Sequence, residues 1–152
     1  MKRLVKNIIL ILLLITVVNA NETIDINSKI QIAQKENKQL MFFFHIPHCP
    51  YCIRMINENF KDKETLKEIE ENFIFIDIYK KDKNYEKLAK DLGAVAYPAI
   101  LFMNKDKKII HKAIGYRNTN ELLSEMKYIS TQSYKSMDLE SFILKLEFEK
   151  DD

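Results

Sequence analysis

Four short apolar runs punctuate the chain: LMFFFHI (40–46), FIFIDIY (73–79), AILFM (99–103) and KIIHKAI (108–114). Each is rich in β-branched or aromatic side chains and flanked by polar residues, the pattern of a buried strand too short to be a helix. NKDK (104–107) between the last two fits a hairpin turn. Around these runs the apolar positions recur at helical spacing instead. Ser28 and Gln31 fit a capping box opening a helix that runs to about Asn37. Pro50 stands where proline favours the first position of a helix, and IRMINENF (53–60) continues in helical register. KETLKEIEEN (63–72) is a charged helical stretch, and YEKLAKDL (85–92) is a helix stopped by Gly93 at its C-terminal cap. NTNELLSEMKYI (118–129) is a further helix, with Asn118 or Thr119 as its cap. The order α, β, α, α, β, α, β, β, α predicts an α/β fold, a central mixed four-stranded sheet flanked by helices on both faces.

Both ends of the chain follow other patterns. Lys2, Arg3 and Lys6 precede an apolar run from Ile8 to Val18 broken only by Thr16, and Val18 and Ala20 suit the −3 and −1 positions of a cleavage site. The run is shorter than the ~20 residues a spanning helix needs. Residues 1–20 therefore read as a cleaved export signal, with an uncleaved anchor as the alternative. No cysteine follows Ala20, which argues against an acyl anchor. At the other end, Leu139, Phe142, Ile143 and Leu146 form one apolar helical stripe within residues 135–152, a helical extension beyond a domain at 21–134. That stripe fits packing on its own domain, or a dimer or partner contact.

Removal of the leader changes the charge. The full chain carries 24 Lys and Arg against 22 Asp and Glu, and loss of residues 1–20 leaves 21 against 22. A nearly neutral domain without a concentrated basic face excludes electrostatic capture of nucleic acid, and membrane association is expected only through the export signal. The lysines of KKDK (80–83) and KDKK (105–108) are interrupted by Asp82 and Asp106 and belong on solvated turns. With 47% hydrophobic residues, two Gly and three Pro, the composition suits a sizeable core and not a loop-rich β-sandwich.

The chemistry concentrates in HIPHCPYCIRM (45–55), which holds both cysteines of the chain. Haem attachment requires histidine after the second cysteine, and that residue is Ile53. His45, His48, Cys49 and Cys52 could supply two nitrogens and two sulfurs to zinc. Against this, Pro50 favours a helix starting at the first thiol, and His45 ends an apolar strand where a core or rim histidine is common. No cofactor is expected. A structural staple is also poorly served, because a bridge across two residues closes almost no loop. A redox dithiol has a direct cause: a cysteine at a helix start meets unpaired N–H groups and the positive end of the dipole, which favour thiolate. Cys49 would then be the nucleophile and Cys52, one turn in, the resolving thiol.

The strand–Cys49-Pro50-Tyr51-Cys52–helix unit, Tyr97-Pro98 before AILFM, and Gly115 after the next strand resemble the thioredoxin superfamily over roughly residues 27–130. The resemblance implies a thioredoxin-like fold, a cis Pro98 beside the thiols, and a substrate groove shaped by Tyr97 and Pro98. Cys-Pro-Tyr-Cys is shared with glutaredoxins and some periplasmic disulfide-exchange proteins. Export sets the glutaredoxin option back, leaving small periplasmic thioredoxin-like proteins as the nearest likeness. Two departures stand out. Many thioredoxins carry a buried acid six residues before the first cysteine, where Phe43 stands here, so another group or water must move the proton of the second thiol. The residue before the first cysteine is usually aromatic and here is His48, which as a cation would favour the Cys49 thiolate and otherwise is a rim residue.

The resemblance implies a periplasmic thiol:disulfide oxidoreductase acting on protein thiols and disulfides, with Pro50, Tyr51 and His48 supporting the Cys49/Cys52 pair. Reduction of client disulfides, fed by a membrane thiol-disulfide electron carrier, is the expected direction. A disulfide-donating oxidant or an isomerase would use the same residues, although neither a large inserted helical domain nor an N-terminal dimerisation domain is evident. A holdase of the same fold would need no thiols at all.

Overall fold

The computed structural model describes residues 23–149. The leader predicted over residues 1–20 lies outside them, and among the described residues no helix is long and apolar enough to cross a membrane. In chain order the elements are α1 (Ile26–Glu36), β1 (Gln39–His45), α2 (Pro50–Asn57), α3 (Lys63–Asn72), β2 (Phe73–Tyr79), α4 (Tyr85–Leu92), β3 (Ala99–Met103), β4 (Ile109–Ile114), α5 (Thr119–Ser130) and α6 (Leu139–Phe148). Single 3-10 turns lie at Asn59–Lys61 and Ser133–Lys135. The strands form one mixed sheet in the order β2-β1-β3-β4, with β1 parallel to β2 and the other two pairings antiparallel. This is the predicted architecture, with helices on both faces.

The alternation of a strand divides the core into two. Leu40, Phe42 and Phe44 of β1 point to one face, where α1 and α4 cover them with Ile30, Ala33, Leu88 and Leu92. Met41 and Phe43 point to the other, beneath Met55 of α2 and Leu122, Met126 and Ile129 of α5. The five middle residues of β1 are all buried, so this central strand reads as a continuous apolar run.

Two boundaries differ from the sequence expectation by more than one residue. Helix α1 is capped by Asp25, whose side chain accepts the N–H of Asn27, and not by Ser28. Starting at Ile26 places that residue on the face shared by Ile30 and Ala33, and a carboxylate meets the positive helix end. Helix α2 ends at Asn57 instead of running through Phe60. The 3-10 turn that follows sets Phe60 edge-on to Phe43 at 4.7 Å, which a continuous helix would not have done.

Helix α6 lays its apolar stripe on the domain. Phe142 is buried with its ring 5.5 Å from Tyr128, and Leu139 and Leu146 pack against the same cluster. Leu144 and Phe148, off that stripe, remain exposed.

Candidate active site

Strand β1 delivers the chain at His45 into a short loop, and His48, at φ 57°, turns it in the left-handed region towards α2. Cys49 is the N-cap of α2 with extended backbone, and Pro50 occupies the first helical turn. Proline has no N–H to leave unsatisfied there. The Cys49 Sγ accepts the backbone N–H of Cys52 at 3.2 Å, the bond a serine or aspartate cap would accept. The two cysteines are joined in a disulfide, with Cα atoms 5.2 Å apart. Cys49 is 9% exposed and Cys52 1%, so the first cysteine is the less buried of the two.

An aromatic and charged platform adjoins this helix. Tyr51 is exposed, with its ring 5.9 Å from that of Tyr116. The Arg54 guanidinium lies 4.5 Å over the Tyr116 ring, and its Nε donates to both Glu58 oxygens at 2.9 Å. The Tyr116 hydroxyl donates to Glu58 Oε2 at 2.8 Å. The Arg54 and Tyr116 hydrogen bonds hold the Glu58 carboxyl below its ordinary range. Burial, and the hydrogen bond to Glu58, push the Tyr116 hydroxyl up. Arg54, Glu58 and Tyr116 escape a reading by motif, because their link runs between α2 and the loop after β4.

Pro98 and Gly115 close the same end of the sheet. Ala99 pairs with Phe44, so Pro98 lies level with the carboxyl end of β1, where the loop to Cys49 departs. The Tyr97–Pro98 peptide is cis. The N–H of Gly115, at φ 90°, donates to the Pro98 carbonyl at 2.8 Å. Tyr97 is turned towards the α1/α4 side, its ring 6.0 Å from Tyr85.

Beside Cys52 opens a cleft of about 440 Å³ lined by His45, Ile46, Pro47, His48, Ile53, Ile56, Tyr79 and Lys81. Neither Tyr97 nor Pro98 lines it. His45 is clamped between the rings of Phe43 and Tyr79, at 5.0 and 4.7 Å. Its Nε2 lies 2.8 Å from Asp77 Oδ1 on β2. The atom is buried and makes no well-aligned hydrogen bond. The lone acid of the otherwise apolar FIFIDIY was the available signal for Asp77. Among the described residues no group of three or more His, Cys, Asp and Glu side chains is disposed to hold a metal ion.

A family profile described as a thioredoxin-like domain matches residues 26–130. No curated protein matches the chain in sequence. Among solved structures, a thioredoxin-fold protein from Helicobacter pylori is similar at a TM-score of 0.63 and 24% identity, covering 74% of this chain and 81% of that one. A thioredoxin from Thermus thermophilus gives 0.60 and 23%, over 68% and 82% of the two chains. The oxidised C-terminal domain of DsbD from Neisseria meningitidis gives 0.56 and 16%, over 66% and 89%. At these identities the likeness to solved structures speaks for the fold.

Proposed function

The chain belongs to the thioredoxin-like family, and from that premise we propose that it is an exported thiol:disulfide oxidoreductase that reduces protein disulfides through Cys49 and Cys52. One observation carries the reading: Cys49, the less buried of the two, caps a helix with its sulfur, and Cys52 sits one turn inside it. In the reduced protein the Cys52 N–H and the helix dipole favour a thiolate at Cys49. That thiolate attacks one sulfur of a client disulfide; the other client sulfur leaves with the bonding electron pair and takes up a proton. Cys52 then attacks Cys49, expels the second client sulfur as a thiolate and forms the Cys49–Cys52 disulfide. The client gains two electrons and the protein dithiol loses two.

Pro50 sets the start of α2, His48 and Tyr51 border the nucleophile, and the backbone at Tyr97–Pro98 offers an extended client segment a place at the same sheet end. A membrane thiol-disulfide carrier would return the electrons. The cationic, apolar leader supports export to the periplasm, where such exchange is compatible with an oxidising environment. The DsbD C-terminal domain of Neisseria meningitidis, similar in fold, has been solved in an oxidised and a reduced form, in keeping with a dithiol that cycles.

Trapping tests the assignment. Cys52→Ala should accumulate mixed disulfides with client proteins, whereas Cys49→Ala should accumulate few, and alkylation of the reduced native protein at mildly acidic pH should label Cys49 first. Equal labelling, with no trapping by either variant, would leave a holdase as the better reading. Equilibration with glutathione buffers fixes the direction: a potential near the −270 mV of thioredoxin supports reduction, and one near −120 mV marks an oxidant.

A further inference from the structure

Cys52 must lose a proton before its sulfur can attack, yet it is 1% exposed, and the strand position beneath the site is the buried, apolar Phe43. A thiol in apolar surroundings resists ionisation because the thiolate loses its hydration. The proton therefore needs an acceptor opening on the same space. The cleft beside Cys52 presents four titratable side chains: His45, His48, Tyr79 and Lys81. A lysine ammonium has no acceptor, and a phenol becomes a base only in alkali. His48 is exposed on its left-handed turn, with no hydrogen-bond partner among the described residues. His45 alone among them is both held and paired. Its ring is fixed between Phe43 and Tyr79, with buried Nε2 2.8 Å from Asp77 Oδ1. A carboxylate that close, although not aligned for a hydrogen bond, sets a negative charge beside Nε2 and so favours the tautomer protonated there, which leaves the lone pair on Nδ1.

We propose that His45, positioned by Asp77, accepts the Cys52 proton during resolution of the mixed disulfide; this rests on the Cys49 nucleophile reading above. The Cys52 S–H proton passes to His45 Nδ1 through solvent in the cleft, whose volume of about 440 Å³ far exceeds the ~30 Å³ of a water molecule. The Cys52 thiolate attacks Cys49 Sγ, the bond between Cys49 and the client breaks, and the client sulfur leaves with its electron pair. That sulfur takes a proton from the imidazolium, so His45 ends neutral and both cysteines end oxidised. The charged and titratable groups facing His45 are Asp77 and Tyr79 from β2, Lys81 from the following turn and His48 from the loop before α2. Helix α2 presents only Cys52, Ile53 and Ile56 to the cleft.

His45→Phe keeps a ring between Phe43 and Tyr79 but removes the acceptor. Single-turnover mixing with a fluorescent peptide disulfide, acid quench and mass analysis separates the two steps. Mixed disulfide at Cys49 should form at the native rate, and its resolution should slow by about 100-fold, the lower range for general-base catalysis. The pH profile of that step should differ from the native one. Asp77→Asn should slow the same step less. In His45→Ala, added imidazole should restore resolution, which a packing defect would not allow. Resolution at the native rate in His45→Phe, equal slowing of both steps, or no recovery with imidazole overturns the role of His45. No mixed disulfide in the native protein overturns the dithiol reading instead.

Discussion

At Glu125, on α5, a carboxylate is buried to 5% exposure, and its stability depends on its neighbours. Arg117 Nε donates to one oxygen at 2.6 Å, and His111 Nε2 lies 3.0 Å from the other. Arg117 also donates to the carbonyls of Ile114 and Tyr116, tying the loop after β4 to α5. Removing one partner of a buried ion pair costs about 3–5 kcal/mol. Arg117 is about a quarter exposed and His111 would remain, so Arg117→Ala should lower unfolding free energy by about 2–3 kcal/mol in urea titration. No measurable loss would show that Glu125 regains solvent when Arg117 is gone.

Among the elements, α3 and α6 depend on acidic caps. Asp62 accepts the Thr65 N–H at 2.9 Å and Asp138 the Ser141 N–H at 2.9 Å, and these backbone bonds hold both carboxyls below the ordinary 3.8. A carboxyl depressed in the folded state stabilises the fold above its unfolded value, and that contribution is lost as pH falls through the folded value. Stability should therefore decline as pH drops below about 3.8, and the double variant Asp62→Asn, Asp138→Asn should show a shallower decline in acid titration followed by circular dichroism. An unchanged acid limb would assign the transition to other carboxyls, such as Glu58. Helix α6 itself is held by Phe142, and Phe142→Ala should cost about 3–5 kcal/mol in chemical denaturation. A value near zero would mean that α6 detaches from α5 in solution.

For the molecule as a whole, the two apolar clusters on either side of β1 carry the fold, and the disulfide adds little to it. A bridge between residues three apart closes so small a loop that chain entropy credits it with at most about 2 kcal/mol. Reduction should leave one cooperative unfolding transition, displaced by no more than that amount, in melts with and without dithiothreitol. Loss of cooperativity on reduction would make the bridge a structural staple. That outcome would weigh against a redox couple.

Periodicity in the sequence was enough for the four strands, their mixed sheet and the boundaries of β2, α4 and β3, because apolar runs and caps act locally. The strand–Cys49-Pro50–helix unit was legible for the same reason, since a proline and a cap residue fix a helix start within a few positions. The first turn of α1 and the end of α2 were not legible. Each is decided by where Ile26 and Phe60 find packing partners in other elements. In its own strand His45 reads as a core or rim histidine, and nothing in that strand points to Asp77 in another. Their meeting depends on the parallel register that sets Phe43 opposite Asp77 and His45 opposite Tyr79. Register is a property of two strands 34 residues apart, fixed by burying the side chains on both faces of β1 at once. The chain alone therefore determined the spacing of the two sulfurs and the helix start that Cys49 caps, and only the sheet decided which side chains stand beside them.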